Sequence, residues 1–318
     1  PQGIVRYFDR STGRNYFYVS SSTFKHPGYK EGLGTVEIVQ WGNQSGRSGP
    51  LGSNINNERD RPPGSSYSVV GLLEKAPGSH AGGMQIMGRF LVVPFYGLSG
   101  NPDALSIYDL QDPKRPKQRT LLKAAEKNGG SFGNASLARL ANGRYLLLGL
   151  GGGKITPFVS KGTSFPEKPD EWTRGRNFSP GKLWAAGGDS SPPVIKSLGS
   201  GYQNTQLVAD CNGELFILGT HNSHKLSYFH MGGKDYIDIW KVTLQEIQNG
   251  DAYDIHLKKV GNRHMYCGKE WCNFNTGASV YIDPMTGNLS AYATEYYNEG
   301  PKVNGIRSTK IKEFRQHP

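Results

Sequence analysis

One pattern constrains this chain more than any other: five times, a glycine is followed at once by a short apolar or aromatic run. Gly13 precedes Arg14-Asn15-Tyr16-Phe17-Tyr18-Val19, Gly88 precedes Arg89-Phe90-Leu91-Val92-Val93, and Gly143 precedes Arg144-Tyr145-Leu146-Leu147-Leu148. Gly213 precedes Glu214-Leu215-Phe216-Ile217-Leu218, and Gly287 precedes Asn288-Leu289-Ser290-Ala291-Tyr292. The five glycines are spaced by 75, 55, 70 and 74 residues. Upstream of each, by 8 to 12 residues, an amide or imidazole stands beside small residues: Gln2, His80, Asn134, Asn204 and Asn275. Each copy reads as a strand, a tight glycine turn and a second strand. A hairpin cannot bury its own faces, so a chain that repeats one must stack its copies.

Further strands follow the hairpins. Third runs with alternating or apolar pattern lie at 35–39, 104–108, 154–158, 236–240 and 306–311. Fourth runs lie at 67–73 and 255–260, and the last copy has none before the chain ends. Four antiparallel strands in each of several radially stacked repeats define an all-β fold, the β-propeller. The expected count is five blades around a central channel, within one domain over 1–318 with long loops at 42–66 and 161–201. Six blades result if Lys182-Leu183-Trp184-Ala185-Ala186 forms part of another. Residues preceding Pro1 are one way to close the ring. Residues 119–127 and 244–249 have helical composition, and both stretches are short.

The stretch Gly82-Gly83-Met84-Gln85-Ile86-Met87-Gly88-Arg89-Phe90-Leu91-Val92-Val93, followed by Leu105-Ser106-Ile107-Tyr108-Asp109-Leu110-Gln111-Asp112-Pro113, resembles the blade repeat of LVIVD-type and related bacterial β-propellers. The other copies match that repeat loosely. The resemblance implies the fold and names no activity, because propellers host lectins, hydrolases, lyases and scaffolds alike.

Composition excludes several classes. The 43 Gly and 19 Pro rule out long helical bundles. Aromatic residues at 11% exceed what a disordered chain carries, and the chain has no apolar stretch of bilayer length. The 37 Lys and Arg against 26 Asp and Glu give a net charge of +11, which attracts polyanions without choosing among them. The densest basic patch, Lys114-Arg115-Pro116-Lys117-Gln118-Arg119, is short, broken by proline and expected to be a solvated turn, so no specific nucleic-acid site is expected. A start at Pro1 without Met, a composition rich in Gly, Asn, Ser and Tyr, and a Cys267/Cys272 pair able to close a small loop suggest a processed, secreted or extracytoplasmic protein. Cys211, ending an apolar run, is expected to be a buried thiol.

The inner strand of every propeller blade lines the channel, so Gln2, His80, Asn134, Asn204 and Asn275 are expected to converge at one mouth. Such a neutral ring offers donors and acceptors to a polar ligand, a glycan among them, or ties the blades together. It holds no carboxylate pair of the sort that glycoside hydrolysis needs, and Asp9, Asp210 and Asp283 read as turn residues. A lyase acting on an acidic polysaccharide would use His80, Tyr202 and Arg139. A protein-interaction scaffold is the third reading. Trp172 and Trp184, with Arg174 and Arg176 between them, suggest an insertion that walls a ligand. No cofactor motif is present; calcium (Ca) is the one metal considered, with ring carbonyls and Asp189 as ligands. His221 and His224 read as part of a surface turn and carry no metal spacing there.

Overall fold

A computed structural model describes residues 2–22, 34–41, 67–73, 80–96, 103–123, 132–151, 154–177, 202, 204–222, 235–246, 253–265, 272–283, 286–295, 302–303, 306–307 and 311–315. It is a five-bladed β-propeller. Blade one is β1 (Gly3–Asp9), β2 (Arg14–Ser22), β3 (Gly34–Trp41) and β4 (Tyr67–Leu73). Blade two is β5 (His80–Ala81) with β6 (Gln85–Met87), then β7 (Phe90–Tyr96), β8 (Ala104–Asp109) and β9 (Lys117–Lys123). Blade three is β10 (Asn134–Arg139), β11 (Tyr145–Gly151), β12 (Lys154–Ser160) and β13 (Trp172–Arg174). Blade four is β14 (Asn204–Ala209), β15 (Leu215–Asn222), β16 (Asp235–Glu246) and β17 (Tyr253–Met265). Blade five has β18 (Cys272–Ile282) and β19 (Leu289–Glu295); after a small ribbon of β20 (Lys302–Val303) and β21 (Ile306–Arg307), β22 (Ile311–Arg315) pairs with β19. All the strand pairings are antiparallel, each blade running as a meander.

The five glycines of the sequence repeat are the five described residues of that type with positive φ: Gly13 (65°), Gly88 (58°), Gly143 (83°), Gly213 (79°) and Gly287 (71°). Each sits in the turn between the first and second strands, where a side chain would strain the left-handed backbone. Asp9, Asp210 and Asp283 cap these turns. Asp9 Oδ1 accepts from the Ser11 amide at 3.0 Å, Asp210 Oδ1 from the Asn212 amide at 2.9 Å, and Asp283 Oδ1 from the Thr286 amide at 3.1 Å.

Each sheet is buried on both faces, which produces five cores at the five seams. Val5, Tyr18 and Ile38 of blade one meet Leu91, Val93 and Phe95 of blade two, and Val92, Ile107 and Leu122 meet Leu137, Leu147 and Trp172 of blade three. Leu146, Leu148 and Ile155 meet Leu207, Ile217 and Trp240 of blade four, and Leu218 and Ile237 meet Phe274, Ala278 and Ala291 of blade five. Ile4, Phe17 and Val19 then pack on Tyr292 and Ile311, so blade five returns to blade one. The ring closes face to face within the described residues. Arg6 reinforces this seam, donating to the Tyr292 hydroxyl at 2.7 Å with the Glu313 carboxylate 3.9 Å away.

Several sequence expectations change. Residues 119–123 are strand, not helix: Thr120 and Leu122 are buried at a period of two, and pairing with β8 overrides the local propensity. Leu244 likewise lies in β16, paired with Ile255. The stretch expected as loop from residue 161 contains β13, the outer strand of blade three. Trp172 is core there, edge-on to Phe165, its side chain buried in the seam of blades two and three. The third strand of blade five is residues 311–315, five residues beyond the start of the expected run, because Ile311 carries the buried position opposite Thr294. Cys211 is exposed in the Gly213 turn instead of buried. His221 is the penultimate residue of β15 and is buried, so it belongs to no surface turn. Trp184, His224, Asp189, Cys267 and the 42–66 loop lie outside the described residues.

Candidate functional site

Antiparallel order gives the ring two distinct ends. At one lie the starts of the inner strands, the ends of the second strands and the starts of the third; at the other lie the glycine turns and the links between third and fourth strands. The sequence-predicted ring of amides belongs to the first end.

Side-chain amides bind the inner strands of neighbouring blades together. Asn134 Nδ2 donates to the carbonyl of Tyr202 at 2.6 Å, and Asn204 Nδ2 donates to the carbonyl of Ala278. Gln206 Oε1 accepts from the Val280 amide at 2.7 Å. Gln85 does more. Its Oε1 accepts from the amides of Leu137 (3.0 Å) and Leu207 (2.8 Å), while Nε2 donates to the carbonyls of the same two residues at 2.9 and 2.7 Å. One side chain from blade two therefore imitates a peptide group between blades three and four, with all four hydrogen-bonding positions filled and the residue 6% exposed. The channel core is a set of fixed ties.

Gln2 and His80 meet at the mouth, Gln2 Nε2 donating to His80 Nε2 at 2.5 Å. Burial lowers the His80 pKa, which keeps the ring neutral and its nitrogen an acceptor. β5, which carries His80, bridges the sheets of blades one and two through Ser22 and Tyr96.

The densest chemistry at this end lies on the face of blade four. The register places Gly219 opposite Asp238, His221 opposite Tyr236 and Ile217 opposite Trp240, so Tyr236, Asp238 and Trp240 share one face of β16. Tyr202 lies across Gly219, where an added Cβ would stand 2.5 Å from its ring. The Tyr202 hydroxyl donates to Asp238 Oδ2 at 2.6 Å and accepts from Trp240 Nε1 at 2.7 Å. His221 Nε2 is 3.1 Å from the same carboxylate oxygen, and Lys259 Nζ from β17 is 3.0 Å from Oδ1. Burial on its own raises the Asp238 pKa; the bonds from His221 and Tyr202 and the Lys259 ammonium outweigh it and hold the carboxyl below the usual range. Burial and the neighbouring carboxylate push the Tyr202 phenol well above its ordinary value. A bond to carboxylate puts the His221 proton on Nε2; its Nδ1 is buried with no hydrogen-bond partner among the described residues.

A ladder of rings leads from this knot to the surface. His221 stacks on Tyr236 (centroids 5.4 Å apart, planes at 19°), and Tyr236 lies 5.3 Å from the exposed His264. Asn262, opposite Asp238 in the register, is exposed beside it.

Of the residues singled out from sequence, the structure brings Gln2 to His80, Asn134 to the Tyr202 backbone and Asn204 to blade five. Arg139 stands apart from them at the far end of β10, exposed, donating to the Gly143 carbonyl at 3.3 Å. Asn275 lies in β18, and nothing is described of its side chain. Asp238, Lys259 and the buried role of His221 escaped the sequence reading. The signal was Tyr236-Ile237-Asp238-Ile239-Trp240, whose alternation already sets an acid between two aromatic rings on one face. Among the described residues, no group of three or more His, Cys, Asp or Glu is arranged to hold a metal. No described helix is long and apolar enough to cross a membrane.

No family model matches the chain, and no curated protein matches it. Among solved structures, a thermostable family-43 glycoside hydrolase is similar over 98% of this chain and 87% of its own, at 11% identity and a TM-score of 0.43. An α-L-arabinofuranosidase from Clostridium thermocellum is similar over 75% of this chain and 69% of its own, at 13% identity and a TM-score of 0.37. A periplasmic gluconolactonase of Pseudomonas aeruginosa covers 97% of this chain with 84% of its own, at 9% identity and a TM-score of 0.36. Likenesses of this size say nothing of chemistry.

Proposed function

We propose that the protein is a binding propeller for a polar ligand of acidic character, of the glycan class, held at the end where the inner strands begin, with blade four as the main contact surface. The observation that carries this reading is the knot of Asp238 with Tyr202, His221 and Lys259, opening through Tyr236 onto His264. Such a ladder supplies an aromatic face for a sugar ring, a partly exposed ammonium for a carboxylate, and the Asn262 amide for hydroxyls. The net charge of +11 adds long-range attraction for an anionic chain. A glycan ligand agrees with the extracytoplasmic location expected from composition.

Binding is favoured over the lyase reading on two observations. The expected bases are engaged in structure: His80 Nε2 accepts from the Gln2 amide, and the Tyr202 phenol, pushed well above its ordinary pKa, both donates to Asp238 and accepts from Trp240. Arg139, the expected partner of a uronate carboxylate, stands at the opposite end of the blade. The test is titration with neutral and uronate oligosaccharides by calorimetry, with the ultraviolet absorbance of an unsaturated product followed in parallel. Saturable uronate binding that weakens about fivefold or more in His264→Ala, without product, is the expected result. Product formation lost in His221→Ala would replace it with an enzyme; uronate binding unchanged in His264→Ala would move the site elsewhere.

A further inference from the structure

The other end of the ring carries a pocket of about 250 Å3 on blade two, lined by Asp109, Gln111, Asp112, Arg115, Lys117 and Arg119. It includes the basic run that reads from sequence as a solvated turn, and the structure shows that run held firmly. Pro113 is buried and its carbonyl accepts from the Tyr18 hydroxyl of blade one at 2.8 Å. The Lys114 carbonyl lies 2.7 Å from where a Cβ on Gly71 would stand, so the loop rests directly on blade one. The Leu110 amide donates to the Arg89 carbonyl at 2.8 Å, and the Arg115 amide to the Asp112 carbonyl at 3.1 Å.

The two acids in the lining are already engaged. Asp109, 2% exposed, faces Arg89 Nε at 3.2 Å and Arg119 at 3.0 Å and also accepts from the Gln111 amide. Asp112 accepts from the Lys114 amide at 3.0 Å. Neither Arg115 nor Lys117 pairs with an acid among the described residues, and the buried Arg119 Nε has no hydrogen-bond partner among them. The pocket thus presents two exposed cations, Arg115 and Lys117, on a backbone that folding has already fixed, while Arg119 is held by Asp109 and lies 4.0 Å from Glu167, so backbone ordering adds little to the cost of binding. Guanidinium forks and an ammonium suit a compact oxyanion. The lining has no aromatic ring, which disfavours a nucleic acid, whose bases need a stacking surface.

We propose that this pocket binds a tetrahedral oxyanion, sulfate or phosphate, carried as a monoester. The site is separate from that on blade four and does not depend on it. The experiment is titration of the full chain with glucose 6-sulfate, glucose 6-phosphate, the two inorganic anions and a single-stranded oligonucleotide. Arg115→Ala/Lys117→Ala is compared throughout, both residues being exposed. The expected result is saturable binding of an ester, the tighter one identifying the natural group, weakened about tenfold or more in the double variant with an unchanged thermal midpoint. Equal ester affinity in the double variant, no saturable binding of either ester, or an oligonucleotide that outcompetes both would overturn the proposal.

Discussion

Replacing Gln85 tests whether one amide fastens blades three and four across the channel. Its four hydrogen bonds, at 2.7 to 3.0 Å, satisfy two amides and two carbonyls on the inner strands of blades three and four. Each buried backbone group left unpaired costs about 1–3 kcal/mol, so four at the low end give roughly 4 kcal/mol. In Gln85→Ala the vacated space admits water, which restores part of the loss and sets a floor near 2 kcal/mol. Unfolding entropy of about 2.1 cal/mol/K per residue, taken over 318 residues, converts this to a fall in Tm of roughly 3–6 °C. Gln85→Leu fills the same space without a polar atom and keeps water out, so it should fall further than Gln85→Ala. Differential scanning calorimetry of the three proteins reads both quantities. A Tm within about 1 °C of the parent for Gln85→Ala, or a Leu variant more stable than the Ala variant, would refute the reasoning.

Asp238→Asn should remove stability at neutral pH. The folded carboxyl titrates below its unfolded value of about 3.9, so its contribution is complete above that pH and lost as pH falls toward the folded pKa. Urea midpoints of parent and variant should therefore converge below about pH 4, and a constant gap would contradict the assignment. Gly13→Ala meets open space at φ 65° and should cost about 1 kcal/mol. Gly82→Ala would place a Cβ 2.0 Å from the Gly133 carbonyl oxygen and should cost several times more; equal Tm values for the two variants would show that the seam between blades two and three yields easily. Arg6→Met removes the bond to Tyr292 and the pairing with Glu313, and proteolysis should then cut blade five faster than blade three.

The fold was legible because its signal is backbone chemistry. A left-handed turn needs glycine, so Gly13, Gly88, Gly143, Gly213 and Gly287 mark the blades in any reading of the chain. What stayed hidden depends on contacts between distant segments. Trp172-Thr173-Arg174 is too short to show a period, and only pairing with Phe158-Val159-Ser160 makes it a strand. Residues 119–123 favour helix locally and are overruled by β8. The run His221-Asn222-Ser223-His224 has turn composition, yet its first two residues finish a strand whose partner begins at Asp235. Asn134 and Asn204 begin inner strands as expected, but whether an amide faces outward or a neighbouring carbonyl depends on the spacing of those strands. For Asn134 and Asn204 that spacing hands the amide nitrogen to the next blade.

The reading of blade four meets its most direct test in a crystal structure of the protein soaked with a uronate oligosaccharide. The account predicts a sugar ring against His264 and Tyr236 with its carboxylate toward Lys259. A ligand seated instead at the glycine-turn end, or in the channel with Gln85 displaced, would contradict it.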